Sequence, residues 1–379
     1  MLNMFWITFW FLFYSYVGYP ILLIIFAGLA RRESKKLLFV PRVSIIIAAH
    51  NEEKGIKQKI ENTLSLKYPK DKLEIIIVSD CSVDQTNTII KEYIKYGVKL
   101  SALDKRRGKT AAQNEGVKRS TGNILVFSDA TSIYQKDAIS YLVQPFVNQS
   151  VGCVGGRLLF VDYLDKQDNL ISYKSLLNNY DQLIKIAESK VYTTFGVDGC
   201  IYAVRNQLYV PLEESLTSDF VIPLKIIEKG YRTIYEPKAI CFEKIESNSK
   251  SEYERKIRTV KAGLTGFWNM RKLLINRNLI IPWGLISHKF LRWLMPIFMI
   301  VLFLSNFFIY LNSNYQLYKI AFLLQLSFYT FALLGLSKRY RKIKIINYCF
   351  NFLVYTLATL MGIKRFLNEK PNEIWETNR

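Results

Sequence analysis

Several charged side chains sit where an apolar run gives way to a short polar cluster. Asp80 follows Leu73 to Ser79, and Asp129 follows Asn123 to Ser128, so each carboxylate stands at the carboxyl end of a strand-like segment. Asp80 could accept from the ring N–H of a nucleobase there, while Asp84, four residues on, suits the cap of the next helix. Asp129 could hold Mg²⁺ or Mn²⁺ against phosphate oxygens, with Thr131 supplying a hydroxyl; an ordinary turn with a helix cap is the alternative. Ala49-His50-Asn51-Glu52-Glu53 closes another apolar run and could grip a ribose or base, or merely cap a helix. Arg106-Arg107-Gly108-Lys109 opens a helix where a diphosphate would be welcome, though three basic residues beside one glycine also read as a solvated charge run. Asp219, in Thr217-Ser218-Asp219-Phe220, is equally a helix cap and a general base.

These residues need a scaffold that brings distant strand ends to one edge. From Arg42 onward the pattern alternates strand Val43 to Ala49, helix Lys54 to Leu66, strand Leu73 to Ser79, helix Asp84 to Tyr96, strand Val98 to Leu103, helix Thr110 to Arg119 and strand Asn123 to Ser128. The strands are continuous Ile and Val runs, as expected when helices cover both faces of a mainly parallel sheet. In such sheets ligands bind beyond the carboxyl ends of the strands, which predicts one crevice shared by Asp80 and Asp129. Later the rhythm loosens into Val151 to Val161, a helical stretch Asn169 to Lys190, glycines at 196 and 199, and a helix Phe220 to Lys229.

Half of the 379 residues are apolar, with 24 Phe and 24 Tyr, which is high for a chain wholly in water. Met1 to Ala30 carries no charge and precedes Arg31, Arg32, Lys35 and Lys36; it is expected to anchor the chain with its N-terminus outside. Trp293 to Tyr318, Ile320 to Ser337 and Ile345 to Ile363 are further charge-free runs. Lys338, Arg339, Arg341, Lys342 and Lys344 separate the last two and assign that connector, with residues 31 to about 280, to the cytoplasm. The net charge of +21 comes without any nucleic-acid motif, so an anionic membrane face explains it better than DNA or RNA. Five cysteines and two histidines show no metal spacing, and reduced thiols are expected. Charge-free spans also argue against a pore or transporter.

Taken in order, PRVSIIIAAHNEE, LEIIIVSDCSVDQT, GKTAAQNEG, ILVFSDATS, the run from Gly196 to Arg205, and TSDF resemble the inverting glycosyltransferases of family 2, nucleotide-sugar enzymes with a GT-A fold. The resemblance spans roughly residues 41 to 265. It implies an α/β GT-A domain with a mainly parallel sheet, in which Ala49, Asn51, Glu52 and Asp80 contact the nucleotide and Lys109 approaches the diphosphate. Asp129 matches the first aspartate of the family's DxD metal motif, and Thr131 stands where the second is usual. Asp219 matches the catalytic base, with Ser218 in place of the customary acidic neighbour, and Gly199 lines the acceptor entrance. Arg255-Lys256-Ile257-Arg258-Thr259 is the counterpart of the Q-x-x-R-W sequence of processive members; it keeps Arg258 for the diphosphate and lacks the tryptophan.

The expected division is an anchor over 1–30, a cytoplasmic catalytic domain over 31–260, an interfacial helix over 261–285, about three C-terminal spans over 286–366, and a tail over 367–379. The resemblance implies transfer of a sugar, with inversion, to a membrane-associated lipid or growing glycan in cell-surface polysaccharide or glycolipid synthesis, with membrane lipid and polysaccharide-assembly proteins as partners. Abundant Ile, Lys and Asn fit a bacterial source and hence the inner membrane. The rival is a non-catalytic nucleotide-sugar sensor or scaffold, suggested by the missing second aspartate and tryptophan.

Overall fold

The computed structural model describes residues 1–30, 39–164, 170–172, 176–244, 249–312 and 314–369; the basic residues 31, 32, 35 and 36, and most of the expected tail, lie outside them. The chain forms an α/β unit, drawn from residues 23–245 and 266–275, and a helical unit, drawn from 1–22, 246–265 and 276–370.

In the α/β unit, β1 (Val43–Ala49), β2 (Leu73–Ser79), β3 (Val98–Ala102) and β4 (Ile124–Asp129) are parallel neighbours in the order β3-β2-β1-β4. Ile45, Ile46, Ile47, Ile75 to Val78 and Ile124 to Phe127 are buried, because helices cover both faces; each such side chain contributes about 1.5–3 kcal/mol. The sheet continues through β8 (Tyr202–Arg205), β6 (Val151–Leu164), β9 (Arg232–Lys244) and β5 (Ile133–Tyr134), with β7 (Leu170–Ser172) beside β6. Strand β8 runs antiparallel to both β4 and β6. Its beginning therefore meets the edge at which β4 ends, with Tyr202 opposite Phe127.

The helices of this unit are α2 (Ile56–Leu64), α3 (Thr86–Glu92), α4 (Lys109–Lys118), α5 (Ala138–Val143), α6 (Leu176–Val191) and α7 (Ser218–Glu228). Helix α2 starts later than Lys54, because Asn51 adopts a left-handed φ of 53° and its loop is tied to the one after β2. The expected helix from Asn169 is preceded by β7 and opens only at Leu176. In α7 the cap position falls to Thr217, which leaves Asp219 free of a capping duty, inside the first turn. Helix α4 lies close on the sheet at Gly116, where a Cβ would run into Ile46 Cγ2.

Among the described residues, four helices are long and apolar enough to cross a membrane: α1 (Leu2–Leu29), α9 (Ile280–Asn312), α10 (Gln316–Leu334) and α11 (Lys344–Asn368). By length and composition this is a membrane protein. Within the helical unit, polar pairs join them: Trp6 Nε1 donates to Tyr318 OH at 3.2 Å, and Asn306 Nδ2 to Gln325 Oε1 at 3.0 Å. Such pairs contribute of order 1 kcal/mol each where no water competes. Helix α9 begins well before Trp293 and takes in Lys289 and Arg292, so this span is not wholly without charge.

The segment from Lys261 to Trp283 is not one helix. It comprises the end of α8 (Ser249–Asn269), a 3₁₀ turn Arg271–Ile275 and the start of α9. Two asparagines make the break, since Asn276 Oδ1 accepts from Asn278 N–H at 2.9 Å and Asn278 Oδ1 from Ile280 N–H at 3.2 Å.

Candidate active site

The loops after β1 and β2 are stitched into one surface. Asp80 N–H donates to the Ala49 carbonyl at 2.8 Å, Asn51 N–H to Ser82 Oγ at 3.1 Å, Val83 N–H to Asn51 Oδ1 at 2.9 Å, and Glu52 N–H to Thr86 Oγ1 at 2.8 Å. Ala49, Asn51, Glu52 and Asp80 are thus brought together. Asp80, however, is 4% exposed, and its two oxygens accept from Arg107 N–H at 2.8 Å and Gly108 N–H at 2.7 Å. Its carboxylate shapes the basic loop, with Gly108 at φ 88°. The Arg107 side chain bonds Glu214 across to the segment that leads into α7.

Helix α4 grips the same segment. Thr110 Oγ1 donates to the Leu216 carbonyl at 2.7 Å, Asn114 Nδ2 to the Leu212 carbonyl at 2.8 Å, and Tyr209 OH to Asn114 Oδ1 at 2.7 Å. The helix that presents Lys109 therefore also places the approach to Asp219.

Lys109, Asp129, Gly199 and Asp219 converge. Lys109 Nζ forms an ion pair with Asp129 and donates to the Gly199 carbonyl at 3.2 Å. A Cβ on Gly199 would lie 2.8 Å from Asp219 Oδ2 and 3.1 Å from Lys109 Nζ, which locates the base candidate and the ammonium around one backbone atom. Burial disfavours the charge on Lys109, but Asp129 and Asp219 outweigh it and hold its pKa above the usual value. Burial raises the Asp219 pKa, Asp129 and Asp198 raise it further, and Lys109 opposes. A carboxylate with raised proton affinity, beside a fixed cation, is suited to take a proton.

Asp129 and Thr131 share the turn after β4, and Thr131 is exposed. Among the described residues, no three acidic, His or Cys side chains are grouped so that they could by themselves hold a metal ion. A hard cation on this turn would have Asp129 as its carboxylate and draw its other ligands from diphosphate oxygens and water, a mode that Mg²⁺ and Mn²⁺ favour. The residues fit a metal in that way.

Ser218 is 3% exposed and opens α7. Arg258 lies on α8, in the helical unit. The structure also brings in residues that sequence reasoning missed. Lys185 Nζ bonds Asp198 at 2.9 Å and Asp181 at 3.1 Å, one residue before Gly199. Lys59 lies on the buried face of α2 with Ile56, Ile60 and Thr63, where a lysine among apolar positions was the available signal.

Residues 44–206 match Glycosyl transferase family 2. A probable glycosyltransferase YdaM of Bacillus subtilis is 30% identical over 230 residues, 56% of this chain and 52% of that protein. A poly-β-1,6-N-acetyl-D-glucosamine synthase of Staphylococcus epidermidis is 26% identical, over 62% of this chain and 58% of that one. The chain thus spans little more than half the length of these relatives. A mannosyltransferase of Pyrobaculum calidifontis, solved with GDP-Man and Mn²⁺, superposes with a TM-score of 0.73 at 21% identity, over 97% of this chain and 99% of that one. With the mainly parallel sheet and its loaded edge, these matches show that residues 44–206 form a family 2 glycosyltransferase domain of GT-A fold.

Proposed function

We propose that the protein transfers a sugar, with inversion, from a nucleoside-diphosphate donor to a hydroxyl of a membrane-associated lipid or growing glycan. The observation that carries this reading is the convergence of Asp219, Lys109 and Asp129 around Gly199. Asp219 takes the proton of the acceptor hydroxyl as its oxygen bonds to the anomeric carbon. The bond from that carbon to the diphosphate oxygen breaks on the opposite face, and the leaving group departs with the electron pair. Lys109 meets the developing charge from the α4 terminus, and Arg258 is proposed to add a second positive group. A divalent cation held by Asp129, with Thr131 beside it, would neutralise the diphosphate further. Ala49, Asn51, Glu52 and the loop shaped by Asp80 would hold the nucleoside.

The basic connector between α10 and α11 supports a cytoplasmic side for residues 31 to about 280 under the positive-inside rule. Trp268 is 62% exposed, with the Arg271 guanidinium 5.2 Å from its ring centroid, and Ile275 is 86% exposed; such a surface suits the headgroup layer, where a lipid-borne acceptor would arrive. Cell-surface polysaccharide or glycolipid synthesis at the bacterial inner membrane, with assembly proteins as partners, is the role proposed. The test is nucleoside-diphosphate release by the full chain in detergent from UDP-, GDP- and dTDP-sugars, with Mg²⁺ or Mn²⁺, with and without lipid extract. Asp219→Asn should lower release by about 10²–10⁴-fold and leave donor binding intact. Full turnover in that variant would remove Asp219 as the base, and donor binding without any release would favour a sensor.

A further inference from the structure

The ammonium of Lys59 is fully buried, and each of its hydrogen bonds ends on one turn: Ser128 Oγ at 2.7 Å, the Ser132 carbonyl at 2.6 Å and Ser132 Oγ at 3.2 Å. It stands 4.1 Å from the centroid of the Tyr134 ring. No carboxylate lies within ion-pair distance of it among the described residues. A buried cation without an ion-pair partner is an expensive way to fill a core, and an apolar side chain would pack there at lower cost. Its bonds therefore mark where the charge is used.

The turn they hold is the one that carries Asp129. Ser132 Oγ donates to the Asp129 carbonyl at 3.0 Å, and the two serine hydroxyls lie 3.2 Å apart, so the ammonium closes a ring across both ends of the turn. Tyr134, beneath the ammonium, donates from its hydroxyl to the Cys200 carbonyl at 2.9 Å, which ties the same cluster to the segment of Gly199. Burial drives the Lys59 pKa down to about 8, with Cys241 and Asp129 acting against the shift. Asp129 is thus bracketed by two lysines: Lys109 bonds its carboxylate, and Lys59 braces its backbone from the core.

We propose that Lys59 is a positioning residue that fixes the Ser128–Ser132 turn so that the Asp129 carboxylate presents its oxygens to a cation–diphosphate pair. The inference rests on the proposed donor-side role of Asp129. Groups behind a ligand typically change metal affinity about 10–100-fold when lost. Lys59→Met should raise the half-saturating Mn²⁺ concentration by about that factor, read from the free-Mn²⁺ electron paramagnetic resonance signal of the full chain in detergent with UDP or GDP. Ser132→Ala, which keeps the carbonyl acceptor and is the milder change, should raise it by a smaller factor, and Lys59→Arg should restore part of the loss. Thermal midpoints establish that each variant is folded. Unchanged Mn²⁺ affinity in folded Lys59→Met, or in Ser132→Ala should Lys59→Met not fold, overturns the inference alone. Absence of Mn²⁺ binding by the unmodified protein with either nucleotide overturns the donor-side reading of Asp129 as well.

Discussion

Gly199→Ala tests the spacing on which the proposed reaction depends. The added methyl would stand 2.8 Å from Asp219 Oδ2, 3.1 Å from Lys109 Nζ and 3.3 Å from Asp219 Cβ, where ordinary contact begins at 3.4 Å. The carboxylate must therefore retreat by about 0.6 Å and the ammonium by about 0.3 Å. Both are ends of flexible side chains, so the fold should accommodate the methyl with a stability change within about 1 kcal/mol. Catalysis is less tolerant, because a misplacement of ~1 Å in a reacting group can cost about 10²-fold. The expected signature is a fall in kcat of roughly 10–100-fold, with the donor KM and thermal midpoint nearly unchanged. Nucleoside-diphosphate release under saturating donor measures it, alongside a thermal melt. Wild-type kcat in this variant would refute the claim that Asp219 and Lys109 must keep their present separation. A large drop in melting temperature would show instead that the glycine serves packing.

The Asp219 carboxyl is raised above its ordinary value of 3.8, and only its ionised form accepts a proton, so kcat should climb with pH through a limb lying above that value. A pH–rate profile with the limb at or below 3.8 would contradict this. The same shift means that the folded chain binds this proton more tightly than the unfolded one, so the group's contribution to stability falls as pH rises through that window. Asp80→Asn replaces one of two acceptor oxygens with an amide that cannot accept from the Arg107 or Gly108 N–H; the expected cost is about 1–3 kcal/mol and a higher donor KM. A variant with unchanged melting temperature and donor KM would show that the basic loop does not depend on that carboxylate.

The parallel half of the sheet was legible because its strands are unbroken β-branched runs, and Asp80 and Asp129 mark their ends. The convergence of Asp219 with Lys109 was legible only as an order of motifs, since nothing local states that residues 109, 199 and 219 meet. Lys59 was not read at all, for its partners lie 69 and 73 residues away and its helix alone gives no hint of them. The buried position of Ser218 goes with Thr217, not Asp219, taking the cap, a two-residue difference beneath the reach of periodicity. The segment from Lys261 to Trp283 has the composition of a surface helix, yet paired asparagines at 276 and 278 break it.

Because β8 runs against its neighbours, the donor half of the crevice is written in residues that end strands, whereas the residues just before β8 begin one. The two halves thus meet in space while belonging to separate stretches of chain. Residues 194–201 reach β8 through the core, with Thr194, Phe195, Cys200 and Ile201 buried, so their course is set by packing and not by the register of β1, β2 or β4. Under the proposed roles, the surfaces that meet donor and acceptor are therefore coded apart along the chain and can be altered one at a time, with Gly199 as the point where a change on either side is felt by both Asp219 and Lys109.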